Sequence, residues 1–94
     1  MAFKVTKIID GDTFEVSPNW EWDSKSGNVV RPTGFDAPET GTPFSKRTTD
    51  QLSKIILGKD VELKNAKTIS YGRIVCDVFI NGKNLSDFFP KYKL

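Results

Sequence analysis

"VVRPTGFDAPETGTPFSKRTTDQLSKIILGKDVEL", Val29 to Leu63, changes periodicity twice within one short stretch. Val29 to Phe35 is rich in β-branched and aromatic residues and reads as a strand. Pro32 has no N–H to give a ladder, so that strand either lies at an edge or is interrupted there. "SKRTTDQLSKIILGK" then places Phe44, Thr48, Leu52, Ile55 and Ile56 at helical spacing. Ser45 is the predicted N-cap, and Gly58 stands just past the last apolar residue. "DVEL" returns to alternation, with Val61 and Leu63 set against Glu62 and Lys64. One helix between two strands is the feature around which the rest of the fold is read.

Upstream, Phe3 to Val16 is strand-like, but its alternation slips at Asp10-Gly11-Asp12, which predicts a strand bent or bulged at the glycine. "SPNWEWDSKSGN", Ser17 to Asn28, is dense in turn residues and is expected to connect a long hairpin. Downstream, "YGRIVCDVFI" puts Ile74, Cys76, Val78 and Ile80 on one face, and Asn81-Gly82 closes the strand with a turn. The tail "NLSDFFPKYKL" holds one or two short helical turns, limited by Pro90. This order predicts a mainly β, α+β fold. Five strands, one helix between strands 3 and 4 and a short C-terminal helix match an oligonucleotide-binding (OB-fold) barrel, although other small α+β folds share the pattern.

The 94 residues contain no linker-like or repeated segment, so residues 1–94 are expected to form a single domain. There is one cysteine, Cys76, and no histidine, which excludes an internal disulfide and most zinc sites. Any metal bound here is then a hard, oxygen-ligated one. The net charge of +2 is spread along the chain rather than blocked, so charge permits a polyanionic partner without announcing one. "MAFKVTK" lacks the pattern of an export signal, and no run of about 20 apolar residues follows. The expectation is no membrane partner, and the cytoplasm by default, or secretion if a leader precedes this sequence.

The polar residues gather in "IIDGDTFEV", Ile8 to Val16, and "VVRPTGFDAPETG", Val29 to Gly41. Taken singly each has an ordinary reading. "DGDT" is a turn, Asp36 ends a strand, Glu39 is a solvated loop charge, and Arg73 is a polar residue at a strand start. Together they supply two carboxylates at strand ends able to share a hard cation, a third carboxylate nearby, and two guanidinium groups complementary to a phosphate. Hydrolysis of a phosphodiester needs a positioned water, a proton acceptor and positive charge where negative charge builds. A carboxylate and a metal meet the first two needs without histidine.

The segments "IIDGDTFEV", "VRPTGFDAPETG" with its R-x-x-x-x-D-A-P-E core, "ILGKDVEL" and "YGRIVCDVFINGKNLSDFF" occur in the order and spacing of the thermonuclease, or staphylococcal nuclease-like, family. The chain resembles that family from about Lys4 to Phe89. The resemblance implies a five-stranded OB-fold barrel with the helix packed beneath it, and calcium-dependent hydrolysis of DNA and/or RNA. It implies Ca2+ ligation by the carboxylates of Asp12 and Asp36 and the carbonyl of Ala37. Glu39 would orient or deprotonate the attacking water, and Arg31 and Arg73 would clamp the phosphate. Asp10 and Thr40 would support the ion site. Tyr71 is a candidate for stacking on substrate, as are Trp20 and Trp22, although packing is the commoner role for such residues.

Departures from the family pattern are Pro32, where an aliphatic residue is usual, the long Ser17–Asn28 connection, and no acid just before Tyr71. The chain ends before the C-terminal helix of longer members, which leaves a monomer or a weak dimer as the expected states. Three functions are therefore weighed: a metal-dependent nuclease, a noncatalytic OB-fold module that binds nucleic acid or a protein, and a structural domain whose acids only form turns.

Overall fold

The computed structural model describes residues 2–38 and 41–94. Strands β1 (Ala2–Asp10), β2 (Thr13–Trp22) and β3 (Lys25–Pro32) precede helix α1 (Pro43–Ile56). Strands β4 (Asp60–Ser70) and β5 (Arg73–Ile80) follow it, with a two-residue strand β6 (Lys83–Asn84) and 3-10 turns at Leu85–Phe88 and Pro90–Tyr92. The sheet order is β3-β2-β1-β4-β5-β6, and a further parallel pairing of β3 with β5 closes the first five strands into a barrel. The expected OB-fold architecture is therefore present, with its helix between β3 and β4.

The inward face of the closing pair is legible from period-two burial. Val30 and Pro32 on β3, and Ile74, Cys76, Val78 and Ile80 on β5, are buried. They join Phe3, Val5, Phe14, Val16 and Trp20 from β1 and β2, and Val61 from β4. Helix α1 presents Thr48, Leu52 and Ile56 to this core, one turn apart. Phe35 stacks on Phe89 with ring centroids 4.6 Å apart, so the tail closes over the end of the barrel beside α1.

Three local expectations need correction. The slip at Asp10-Gly11-Asp12 is not a bend within one strand: a tight turn at Gly11 and Asp12 separates β1 from β2. Ser17–Asn28 is not a loop either. β2 runs on past a cis Ser17–Pro18 bond to Trp22, and only Asp23 and Ser24 turn, both at positive φ. Burial overrides turn propensity here, because Trp20 is 3% exposed and its indole N–H donates to the Val29 carbonyl at 2.9 Å. Trp20 is thus a core residue, and Trp22 is packed against the core. Finally, Thr42 rather than Ser45 caps α1: its Oγ1 accepts from the Ser45 N–H at 3.2 Å, and Pro43 takes the first helical position.

Pro32 is accommodated by its place in the ladder. Backbone N–H groups alternate sides along a strand, and the Thr33 N–H points to β5, donating to the Cys76 carbonyl at 2.9 Å. Position 32 therefore faces the β2 side, where pairing has already ended at Phe14 with Val30. The missing N–H falls where no ladder bond is required. The Thr33 hydroxyl also donates to Asp77 on β5, whose other carboxylate oxygen accepts from the Asn65 amide at 2.9 Å.

The β1–β2 turn, the loop after β3 and helix α1 meet at one point. A Cβ on Gly11 would lie 2.7 Å from Ala37 Cβ and 2.8 Å from Thr48 Cγ2. These neighbours are rooted on backbone and cannot swing aside. Gly11→Ala is expected to lower the unfolding free energy by about 1–3 kcal/mol, read as a reduced midpoint in urea at unchanged slope. Cys76 faces inward on β5, and burial first, then the Asp77 charge, pushes its thiol up to about 12. At pH 8 the native protein should resist alkylation by iodoacetamide and react at the rate of a free thiol once unfolded in guanidinium. Rapid labelling of the folded chain would contradict the buried placement.

Candidate metal and phosphate site

Arg31 leaves β3 on its outward face, between the inward-facing Val30 and Pro32. Its side chain is nonetheless only 19% exposed, because it turns into the junction between the β1–β2 turn and the loop after β3. Nη1 donates to the carbonyls of Pro32 at 2.9 Å and Phe35 at 3.3 Å, which holds that loop in a tight curve. Nη2 pairs with Asp36 Oδ1 and lies 3.5 Å from Asp12 Oδ2. Two carboxylates from separate elements thus converge on one nitrogen.

The acids differ in environment. The Asp12 side chain is 17% exposed and that of Asp36 58%. Asp12 Oδ2 accepts the Ala37 N–H at 3.1 Å, and its Oδ1 accepts the Thr13 hydroxyl at 3.3 Å. Asp10 lies on the other side of the turn, with its Oδ1 accepting the Asp12 N–H at 3.0 Å. Burial first, and then the neighbouring Asp10 carboxyl, holds the Asp12 carboxyl above its ordinary value against the opposing pull of Arg31 and the Ala37 N–H. A partly desolvated carboxylate beside a second acid is a place where added positive charge lowers the energy.

The donor set is all hard oxygen: the carboxylates of Asp12 and Asp36, with the Ala37 carbonyl in the adjoining backbone. That chemistry suits a calcium-type ion, which accepts irregular mixtures of carboxylate, carbonyl and water. Among the described residues, no group of three or more acidic, cysteine or histidine side chains surrounds a single point. A set this sparse fits weak ligation, completed by water and by a substrate oxygen.

Arg73 opens β5 after the Tyr71-Gly72 turn. In the parallel β3–β5 ladder Val29 pairs with Arg73 and Arg31 with Val75, so the two arginines share the outward face. With strands about 4.8 Å apart and a rise of about 3.3 Å per residue, their backbones are roughly 8 Å apart. Arg73 Nε donates to the Ser70 carbonyl at 3.2 Å, and its guanidinium carbon sits 5.8 Å from the Tyr71 ring centroid. Tyr71 is 95% exposed and held at positive φ, so its ring stands open at the rim.

Asp10, Asp12, Arg31, Asp36 and Ala37 therefore come together, with Arg73 on the adjoining strand and Tyr71 in the turn that precedes it. Glu39 and Thr40 lie outside the described residues. One participant escaped sequence reading altogether: the Asp36 N–H donates to the Tyr92 carbonyl at 3.0 Å, and a bridge pairs Phe35 with Lys93. The tail thus braces the acid's backbone. No local pattern links residues so far apart in the chain.

The family model described as staphylococcal nuclease homologue matches residues 29–92, which contain Arg31, Asp36 and Arg73. An uncharacterized endonuclease of Escherichia coli is 31% identical over 89 residues, covering 94% of this chain and 55% of that protein. A micrococcal nuclease of Shigella flexneri is 30% identical over 76 residues, covering 81% of this chain and 41% of its own length. A staphylococcal-like nuclease of Arabidopsis thaliana is 34% identical over 62 residues, covering 66% of this chain and 19% of that protein. The chain spans about half the length of the Escherichia coli relative that it matches almost end to end. With the OB-fold barrel, the order of its motifs and the family match in agreement, this chain belongs to the staphylococcal nuclease family.

Proposed function

We propose that this domain is a calcium-dependent nuclease hydrolysing phosphodiester bonds of DNA or RNA. The observation that carries the reading is the convergence of Asp12 and Asp36 on the single Nη2 of Arg31, with Arg73 on the same outward face. Two guanidinium forks beside two carboxylates match a phosphate that shares a divalent cation with the protein. The nuclease names of the relatives support the same reaction class.

In this reading Asp12, Asp36 and the Ala37 carbonyl would hold Ca2+, which would supply positive charge at the phosphate. Glu39, three residues beyond Asp36, takes the proton from the attacking water. The water oxygen forms a bond to phosphorus, the bond to the leaving ester oxygen breaks, and that oxygen takes a proton from solvent water as it departs. Arg31 and Arg73 neutralise the charge that builds on the equatorial oxygens. Arg31 also has a resting role, since it holds Asp12 and Asp36 together before any ligand arrives.

Single-stranded DNA incubated with the domain and calcium should be cleaved, and a chelator should stop the reaction. Glu39→Gln should slow cleavage by about 10²–10⁴-fold while the fold is kept. Binding without cleavage at every calcium concentration would establish a noncatalytic module instead, and cleavage that survives both chelator and Glu39→Gln would refute the mechanism.

The arginines should separate by stability. Arg73→Lys keeps the charge but loses the fork, and is expected to weaken a nucleotide bisphosphate about tenfold with unfolding unchanged. Arg31→Ala should weaken the same ligand and also destabilise the fold, because Asp12 is left partly buried beside Asp10 without its cation. Equal stability of the two variants would show that Arg31 does not organise the loop.

A further inference from the structure

A groove of about 310 Å³ lies between α1 and the tail. Its walls are Phe44, Arg47 and Gln51 from the helix, and Phe88, Lys91 and Tyr92 from the tail. No acidic residue lines it among the described residues. Phe44 is 56% exposed in a chain that buries most of its other large apolar side chains, and the Arg47 guanidinium lies 5.9 Å from its ring centroid. Lys83 Nζ stands 4.6 Å from the Phe88 ring centroid. The acids on the two flanking segments, Asp50 and Asp87, are each paired with a lysine, Lys46 and Lys93 respectively.

The groove's walls touch the segments that carry the candidate site. Tyr92, one of its walls, accepts the Asp36 N–H at 3.0 Å. Thr48, at its floor, packs against the turn that carries Asp10 and Asp12, as shown by the 2.8 Å approach of its Cγ2 to a Cβ position on Gly11. The aromatic and cationic groove thus adjoins the segments that carry Asp12 and Asp36. Open ring faces interleaved with cations are what a single-stranded polynucleotide requires: bases stack on the rings and the backbone tracks the charges. An acidic peptide would use the lysines and Arg47 but would have no need of the exposed Phe44 ring.

We propose that this groove is a second nucleic-acid subsite, which takes a stacked base two or more nucleotides from the phosphate held at Arg31, with Phe44 as platform and Arg47 and Lys91 as backbone contacts. The identity of the ligand rests on the nuclease reading, but the groove's contribution is separable from catalysis. It predicts that affinity grows with strand length beyond a dinucleotide, and that the growth is lost when the groove is altered.

The test uses the full chain in chelator, so that nothing is cleaved, with fluorescein-labelled oligothymidylate of about 12 nucleotides and a labelled dinucleotide as probes. Phe44→Ala should weaken the longer strand by about 5- to 100-fold and leave the dinucleotide unchanged, and Phe44→Trp should restore it. Arg47→Ala should weaken the longer strand and reduce the slope of log affinity against log salt by about 1. Phe44 and Arg47 are both exposed, and circular dichroism with urea unfolding checks that neither variant has lost its fold. Unchanged affinity for the long strand in both variants overturns the proposal and leaves the groove to a protein ligand, and so does a parallel loss for the dinucleotide. If the domain cleaves nothing at any calcium level while the length-dependent losses appear, the catalytic reading fails and the subsite stands. If cleavage is calcium-dependent while both variants bind the long strand normally, the reverse holds.

Discussion

The bridge made by Arg31 is the interaction on which the rest of the site depends. Asp12 sits on the β1–β2 turn and Asp36 on the loop after β3, and without a shared cation their charges would push these segments apart. Arg31 supplies that cation from β3, and its second nitrogen holds the loop's own carbonyls, those of Pro32 and Phe35. One side chain therefore sets the distance between the acids and the curve of the chain that presents one of them. The fork geometry matters, because a lysine offers a single point of charge and cannot hold carbonyls and carboxylates at once. Burial makes the pairing consequential: Asp12 is largely withdrawn from water, where an unpaired carboxylate is costly.

Packing supplies the second half of the arrangement. Gly11 allows the turn bearing Asp12 to lie against Ala37 and Thr48 with no side chain between, so the acid is positioned by van der Waals contact as well as charge. From the other side the tail braces the loop, through the Tyr92 carbonyl to the Asp36 N–H, the Leu94 N–H to the Gly34 carbonyl at 2.9 Å, and the stacked rings of Phe35 and Phe89. The loop after β3 is thus clamped between the two ends of the fold. The same tail and helix α1 enclose the groove lined by Phe44, Arg47, Lys91 and Tyr92.

How much of this was readable in advance varies with the range of the interactions. The helix was plain from the spacing of Thr48, Leu52 and Ile56, and β5 from the alternation of Ile74, Cys76, Val78 and Ile80, because each pattern is written within a few residues. Pro32 pointed to an edge or an interruption, and it is the last residue of a strand whose β2 neighbour has already departed. Ser17 to Asn28 looked like a loop, yet the burial of Trp20 against Gly27 keeps it in the sheet. In the second case local propensity was outweighed by a partner strand that the local sequence does not mention.

By itself the sequence determined helix α1 and strand β5, the order that makes an OB-fold barrel, the all-oxygen character of any metal site in a chain without histidine, and the family to which its motifs point. The tertiary structure alone decided that Asp12 and Asp36 meet at one nitrogen of Arg31, that Arg31 and Arg73 face the same way from parallel strands, and that the tail braces Asp36. The division has a physical cause. Periodicity and capping act over one or two turns of chain, whereas the convergence of charges comes from strand pairing and close packing between segments far apart in the chain, as the Asp36 N–H to the Tyr92 carbonyl shows.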